Sequence, residues 1–518
     1  MKLSKVFFAY STLSLMALSV PLTVVACGTN DQIYENIKVF STNDNHGRLV
    51  KTKKEAGLQA ISGFLKEQQF DLLLDGGDFI QGTALNDIDQ GKTTAKIAKL
   101  MNYDAIAVGN HEFDFGLPNL MQIIETENDN FLSANVRYKK DQKRVFPASK
   151  VKTLTTNGLK VGIIGLSSLK TPTTTKPANV QELDFTDLVT ETRQEIDLLE
   201  KQGINFIVVV SHVGPGGTVP LAQALNNKID LIVDGHTHQS FFQTVGTTQI
   251  VQTGDYTKFL RASTFNFNAT SGFIENFQTN LINYDQLAPF ETKTDPQINS
   301  LINELKKVEE AEFNQVVIND NPYLLNGEAE ILGNETNLGN LVTDAMFAAA
   351  LKDSTTDDLA FAVTNSGGIR TSIQKGVVTK RDTYNVFPFG NSLVVLEAPG
   401  KVVKEMLDYS LSKRNAGSFL QVSANLKMTQ QADKTWLYEI KSGDQFVALD
   451  INKTYKIVTQ DFLQSGGDGY SMLTQLKTVA SGDDIRLVLE DYLKQLDTTT
   501  WAKYANPLPG ERIIFASK

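Results

Sequence analysis

Ile37-Lys38-Val39-Phe40-Ser41-Thr42-Asn43-Asp44-Asn45-His46-Gly47-Arg48 joins a short apolar run to a loop of polar side chains and a glycine. The same pairing recurs down to about Gly254, with apolar runs at Leu72 to Leu74, Ala105 to Val108, Val161 to Leu166, Phe206 to Val210 and Ile229 to Val233. Runs this short and continuously apolar predict strands buried on both faces. Between them, Gln59 to Lys66 and Thr93 to Met101 carry helical periodicity, so the pattern predicts an α/β fold. Such folds place their ligands in the loops that follow strand ends. Here those loops read Asp44-Asn45-His46, Asp75-Gly76-Gly77-Asp78, Gly109-Asn110-His111-Glu112-Phe113-Asp114, Ser211-His212 and Gly235-His236-Thr237-His238.

Each loop alone would pass for a turn or a helix cap. Together they hold all 5 histidines of the chain, and the C-terminal half has none, whereas histidines placed for packing would be spread over both halves. Asp44 and His46, like His236 and His238, stand two apart, a spacing at which side chains of an extended chain point the same way and reach one ion. The glycines before Asp78 let the backbone approach closely, and its carboxylate can offer one oxygen to each of two ions. Cys27 is the only cysteine, which excludes an intrachain disulfide and a cysteine-rich zinc site. Any metal is left to His, Asp, Asn or Gln.

At 518 residues the chain exceeds one ordinary domain. A net charge of -10 argues against a nucleic-acid polymer as partner, because binding one needs basic surface to displace counterions. Lys2 and Lys5 precede a run from Val6 to Ala26 without a charge, the layout of an export signal. Its end, Val24-Val25-Ala26-Cys27, resembles a bacterial lipobox. That resemblance implies a lipoprotein-type signal over residues 1–27, lipidation of Cys27 and tethering to the cell membrane on its extracytoplasmic face. A plain cleaved signal and an uncleaved span are the other readings of the run. Farther on, Asp295-Pro296 predicts a helix start, and Ile298, Leu301, Ile302, Leu305 and Val308 follow at helical spacing. We read a connecting helix over 295–318, a boundary and hinge near Asn319 to Asn321, and a second domain over 319–518. Asn337 to Leu351 predicts a further helix and Thr171 to Thr175 a loop.

In order and content, the strings TNDNHGRL, DGGDFIQG, GNHEFDFG, SHVG and GHTHQ, spanning Thr42 to Gln239, resemble the calcineurin-like metallophosphoesterases. The likeness is to their secreted branch of 5'-nucleotidases, UDP-sugar hydrolases and 2',3'-cyclic phosphodiesterases. It implies a four-layer α-β-β-α sandwich over residues 34–294 and two divalent metal ions, Zn²⁺ or Mn²⁺ foremost. One ion would be held by Asp44, His46, Asp78 and His238, the other by Asp78, Asn110, His212 and His236, with Asp78 as the bridge. His111 diverges from its neighbour Asn110 and is left to face the substrate. In the family the matching histidine contacts the phosphate and pairs with the aspartate that is here Asp114. Where many relatives carry an acidic residue after SHVG, this chain has Pro215-Gly216-Gly217-Thr218.

Four strings in the C-terminal half are glycine-rich turns beside aromatics: Glu335 to Leu341, Thr364 to Arg370, Phe387 to Asn391 and Asp461 to Tyr470. As a set they resemble the nucleotide-binding C-terminal domain of the same 5'-nucleotidases, which implies an α+β fold. By that resemblance Phe389 and Phe462 sandwich the base, Asp468 takes the ribose hydroxyls, and Asn365 and Arg370 contact sugar and phosphate. Stacking of this kind is worth about 1–3 kcal/mol per base and tolerates any base. Many relatives have an arginine just before the Glu-x-Asn-Leu-Gly string, and this chain has Asn334, which predicts weaker phosphate binding. The sequence thus predicts a monomeric, extracytoplasmic, metal-dependent nucleotide hydrolase, a 5'-nucleotidase first. A 2',3'-cyclic phosphodiesterase with 3'-nucleotidase activity or a UDP-sugar diphosphatase comes next. A surface nucleotide-binding lipoprotein without turnover is the rival of another class, and the intact loops speak against it.

Overall fold

Alternation within each apolar run sorts its side chains between two layers. Ile37, Val39, Leu72 and Leu74 face Val161, Ile163, Phe206, Val208 and Val210 in a core between two sheets. Phe40 and Leu73 turn the other way, into a core shared with the helices Gly57–Leu65 and Lys92–Leu100. On the far side Ile207 and Val209 pack with residues of the helices Leu188–Glu200 and Pro215–Leu225. The result is helix, sheet, sheet, helix, and the runs are apolar throughout because both faces of each strand are covered. These relations come from a computed structural model that describes residues 32–516 apart from 176–178, 328, 353–357 and 389.

The first sheet is six-stranded, in the order Phe273–Asn283, Phe259–Asn268, Ile33–Thr42, Leu72–Asp75, Ala105–Ala107, Phe131–Leu132. The second, also six-stranded, runs Ser240–Val245, Thr248–Thr253, Leu231–Val233, Phe206–His212, Lys160–Ser167, Ser149–Thr153. Ile33–Thr42, Leu72–Asp75 and Ala105–Ala107 are parallel neighbours, as are Leu231–Val233, Phe206–His212 and Lys160–Ser167. Within each sheet the loops bearing Asp, Asn and His therefore leave from the same edge.

Helix Pro296–Phe313 begins as expected, with Asp295 accepting from the Gln297 N–H at 2.8 Å and proline in the first turn. Ile298, Ile302 and Leu305 bury in the outer core of the first domain. Val308, expected on the same stripe, is 53% exposed. Beyond Leu305 the helix adds ionic contacts, Glu309 with Arg381 at 2.8 Å and Glu312 with Lys380 at 2.6 Å, and Phe313 packs edge-on against Tyr384. Asn319 to Asn321, read as a hinge, lie in the strand Val316–Asn321, paired antiparallel with Gly376–Thr379. Thr171–Thr174 is a helical turn rather than a loop, with Pro172 early in it, where a missing N–H costs nothing.

The C-terminal half builds on a five-stranded sheet ordered Leu420–Val422, Leu359–Asn365, Thr454–Gln460, Ser392–Pro399, Lys477–Asp484. Helices Asn337–Ala350 and Ile485–Leu493 contribute to one of its cores and Gly400–Ser412 to another. Cys27 and Phe389 lie outside the described residues. Among the described residues no helix is long and apolar enough to cross a membrane.

One buried charge sets a stability test away from the loops. Asp230 is 3% exposed, its carboxylate accepts from the Ile207 N–H at 2.8 Å, and burial pushes its pKa up to about 8. A carboxyl raised above its unfolded value stabilises the fold only while protonated, and that stability is lost as pH climbs from about 4 toward 8. Asp230→Asn keeps an acceptor for Ile207 and removes the charge. Its stabilisation over wild type is expected to grow by up to about 1.4 kcal/mol per pH unit across that window. Thermal melts at pH 5 and pH 8 check this; an equal shift at both would show that Asp230 is not the titrating group.

Candidate metal centre and interdomain cleft

Asp44, His46, Asp78, His236 and His238 have φ of 51°, 47°, 55°, 82° and 56°. A non-glycine residue in the left-handed region costs about 1 kcal/mol, and such residues collect where a site needs them. The pairs two apart therefore do not converge through an extended chain, as their spacing suggested. Left-handed turns bend each loop so that both members point inward. Gly77 has a φ of 92° and a side chain there would place its Cβ 2.8 Å from His212 Nδ1, so the close approach inferred from the paired glycines is real.

The convergence is tight. Ligand atoms of Asp44, His46 and His238 lie within 4.8 Å of one another, as do those of Asp44, Asp78 and His212. Asp44 is common to both groups. Asp78 also reaches both sides, with Oδ2 at 2.9 Å from His212 Nε2 and 3.8 Å from His46 Nε2. Asn110 Oδ1 meets His236 Nδ1 at 3.1 Å, and the His212 and His236 rings are 5.0 Å apart. All seven residues read as ligands thus come together.

The far nitrogen of three rings is anchored. His212 Nδ1 meets Gly76 O at 2.7 Å, His46 Nδ1 meets Gln81 O at 3.1 Å, and His238 Nδ1 lies 3.6 Å from Asp255 Oδ2. Such partners fix tautomer and ring angle, and they leave each Nε2 facing the centre. His46 Nε2 and His238 Nε2 approach to 3.2 Å, and the wholly buried His212 Nε2 makes no hydrogen bond of acceptable geometry. Converging imidazole nitrogens, one of them unsatisfied, beside carboxylate oxygens form a donor set that fits divalent metal ions.

Charge points the same way. Burial would raise Asp78, yet His212, His111 and His46 hold it well below the usual carboxylate range. Burial would strip the proton from His212, yet Asp78 and Asp44 lift its pKa to about 10. Burial lowers His46 to about 3 and His236 to about 4, leaving neutral imidazoles. The carboxylates favour positive charge at this spot, as a divalent cation would supply.

His111 stands apart from the ligand groups. Its Nδ1 meets Asp114 Oδ2 at 2.6 Å, and Thr175 Oγ1 donates to Asp114 Oδ1 at 2.7 Å. Burial opposes the imidazolium, but Asp114 and Asp78 raise its pKa to about 10.

Three carboxylates that hold the loops went unread in the sequence. Glu112, wholly buried, accepts from the N–H groups of Asp78 (3.0 Å), Phe79 (2.6 Å), Ile80 (3.2 Å) and Gly109 (2.7 Å). Asp234 accepts from Ser211 Oγ (2.7 Å), the Val213 and Gly214 N–H groups (3.1 Å each) and Thr218 Oγ1 (3.1 Å). Thr218 lies in the stretch where many relatives are acidic, so there it serves the His212 loop through Asp234. Asp255 is the third. For Glu112 and Asp234 the one sequence signal is proximity, since each stands two residues from a position read as a ligand, Asn110 and His236.

A cleft of about 940 Å³ opens from this centre between the two halves of the chain. Asp78, Asn110, His111 and His236 line one wall, and Asn365, Arg370, Phe462 and Asp468 line the other. Asn365 Nδ2 donates to Asp468 Oδ2 at 2.6 Å, and Arg370 Nη1 donates to Gly367 O at 3.0 Å. Phe462 is 39% exposed and lies so close to Gly467 that a Cβ there would come within 2.5 Å of its ring. Asn334 does not line the cleft; its Oδ1 accepts from Arg414 Nη2 at 3.2 Å. Asp87 and Arg486, which the sequence reading passed over, do line it.

Two family models match the chain, calcineurin-like phosphoesterase over residues 37–240 and 5'-nucleotidase C-terminal domain over residues 325–475. The 5'-nucleotidase of Diplobatis ommata is 28% identical, over 92% of this chain and 90% of that one. Protein UshA of Yersinia enterocolitica is 28% identical, over 90% and 92%. The trifunctional nucleotide phosphoesterase protein YfkN of Bacillus subtilis is 29% identical over 89% of this chain, which spans 34% of that longer protein. Among solved structures, the 5'-nucleotidase precursor from Thermus thermophilus superposes with a TM-score of 0.66 at 27% identity, over 93% of this chain and 100% of that one. With a calcineurin-like phosphoesterase domain and a 5'-nucleotidase C-terminal domain matched on one α/β chain, the protein carries the domain pair of a metal-dependent nucleotide hydrolase.

Proposed function

We propose that the chain is a 5'-nucleotidase that releases phosphate from nucleoside 5'-monophosphates, acting as a monomer outside the cytoplasm and tethered through Cys27. The observation that carries the substrate reading is the single cleft, with the metal-type cluster on one wall and Phe462, Asp468 and Arg370 on the other. One ion would be held by Asp44, His46, Asp78 and His238, and the second by Asp78, Asn110, His212 and His236, zinc or manganese in both. Bound there, such ions polarise a phosphoryl oxygen and lower the pKa of water enough for attack near neutral pH.

The chain's own side chains do the rest. His111, protonated and fixed by Asp114, presents its Nε2 proton to the phosphoryl oxygens as charge builds on them. Thr175 holds Asp114 in turn. Across the cleft Phe462 stacks on the base, Asp468 accepts from the ribose hydroxyls, and Arg370 meets the sugar-phosphate end. Phe389 is assigned to the second face of the base by its place in the Phe-Pro-Phe-Gly-Asn string alone.

Phosphate release from a panel of 5'-, 3'- and 2',3'-cyclic nucleotides and UDP-glucose tests this. Turnover is expected to be highest on 5'-monophosphates, to fall by at least about a hundredfold on chelation, and to return with Zn²⁺ or Mn²⁺. Preference for cyclic nucleotides or UDP-glucose would replace the substrate assignment. No release on any substrate with metal bound would leave a nucleotide-binding protein without turnover.

A further inference from the structure

Among the described residues of the cleft wall the charged side chains are mostly aspartates, and besides the histidines the cationic ones are Arg370 and Arg486. A substrate with one phosphate can give it to the metal centre. A second phosphate brings further negative charge into an acidic cavity and needs a cation of its own. Arg486 sits in the first turn of helix Ile485–Leu493, where a positive side chain opposes the helix dipole, so helix stability does not account for it. Its side-chain partner is Asp484, Nη2 to Oδ2 at 3.3 Å, a long contact between half-buried groups that contributes little.

The guanidinium is nevertheless held in place. It lies 4.9 Å from the centroid of the Tyr384 ring, and the Tyr384 hydroxyl donates across the cleft to Asp87 Oδ2 at 2.9 Å. The other oxygen of Asp87 is buried without a hydrogen-bond partner. Arg486 therefore lines the open cleft near a carboxylate of the first domain that feels its charge, with most of its donors uncommitted to side chains. Fixed, planar and charged, it suits bidentate recognition of phosphate.

We infer that Arg486 binds the phosphate that a nucleoside diphosphate carries beyond the one at the metal centre, and so sets how well diphosphate substrates compete with monophosphates. The inference rests on the nucleotide-hydrolase reading of the same cleft. It also offers a guanidinium in place of the one expected at Asn334, from a helix far along the chain.

The test is calorimetric titration of the metal-loaded full chain with a methylene-bridged adenosine diphosphate, which resists hydrolysis, and with adenosine. Arg486→Ala is expected to weaken the diphosphate analogue by about tenfold or more, while Arg486→Lys, which keeps the charge but not the fork, weakens it less. Adenosine affinity is expected to stay within about twofold, because base stacking and the ribose contact do not use this residue. An unchanged affinity for the analogue, an equal loss for analogue and adenosine, or no binding of the analogue to wild type would each overturn the inference. If wild type binds the analogue and Arg486→Ala loses it while no nucleotide is hydrolysed, the inference stands and the 5'-nucleotidase reading falls.

Discussion

Asp78→Asn is expected to cut phosphate release by about 10³- to 10⁵-fold, which is about 4–7 kcal/mol of transition-state stabilisation, and to lower the bound metal below two ions per chain. Asp78 Oδ2 faces His212 Nε2 at 2.9 Å and His46 Nε2 at 3.8 Å, and Asp78 Oδ1 accepts from the His111 N–H at 2.9 Å. One buried carboxylate thus touches both histidine groups and the loop that carries the phosphate-facing imidazole. Asparagine preserves shape, keeps an acceptor for His111 and tolerates the φ of 55°, so the fold should survive. What it removes is the charge that lets one group serve two cations. Metal content by emission spectrometry, read beside phosphate release, separates the possibilities. Two ions per chain with turnover close to wild type would assign the bridge elsewhere, and Asp44, common to both ligand groups, would be the next candidate.

Much of this site is written locally in the chain, and the rest is not, for identifiable reasons. The residues that converge were readable because each sits in a loop directly after an apolar run, and a parallel strand delivers that loop to a common edge. Short continuous apolar runs marked the buried strands, whereas their division into two sheets was expected only from the family resemblance. The manner of convergence was not readable, because left-handed φ at His46 or His238 is imposed by neighbouring loops and not by local preference. Glu112 and Asp234 escaped for a related reason. A carboxylate that accepts from backbone N–H groups of residues 78–80 has partners 32 to 34 positions away, which no local pattern announces. Val308 obeyed the helical period yet faces solvent, since periodicity gives the face of a helix but not where its partner surface ends. Arg486 is the sharpest case. Alone in the sequence it is an ordinary helix arginine, and only the packing of Tyr384 against Asp87 places it on the cleft.

His111→Ala is expected to lower kcat by about 10²- to 10³-fold, the cost of removing one preorganised donor to a developing oxyanion, with metal content unchanged. His111 Nδ1 is taken by Asp114 and the ring is assigned to the substrate, so its loss should spare the ions even though it lies 5.1 Å from His46, centroid to centroid. Asp114 acts through it. The 2.6 Å contact to Nδ1 fixes which nitrogen faces the phosphate, and the Thr175 hydroxyl on the other oxygen keeps the carboxylate from turning away. Asp114→Asn should therefore cost less than His111→Ala, on the order of tenfold, because the imidazole remains but is no longer held as a charged donor. If Asp114 works only by positioning His111, the double variant His111→Ala with Asp114→Asn should be no slower than His111→Ala alone. Additive losses would mean that Asp114 touches the reaction by a second route. An unchanged kcat in His111→Ala with both metals in place would remove the histidine from the chemistry and leave charge stabilisation to the ions and Arg370.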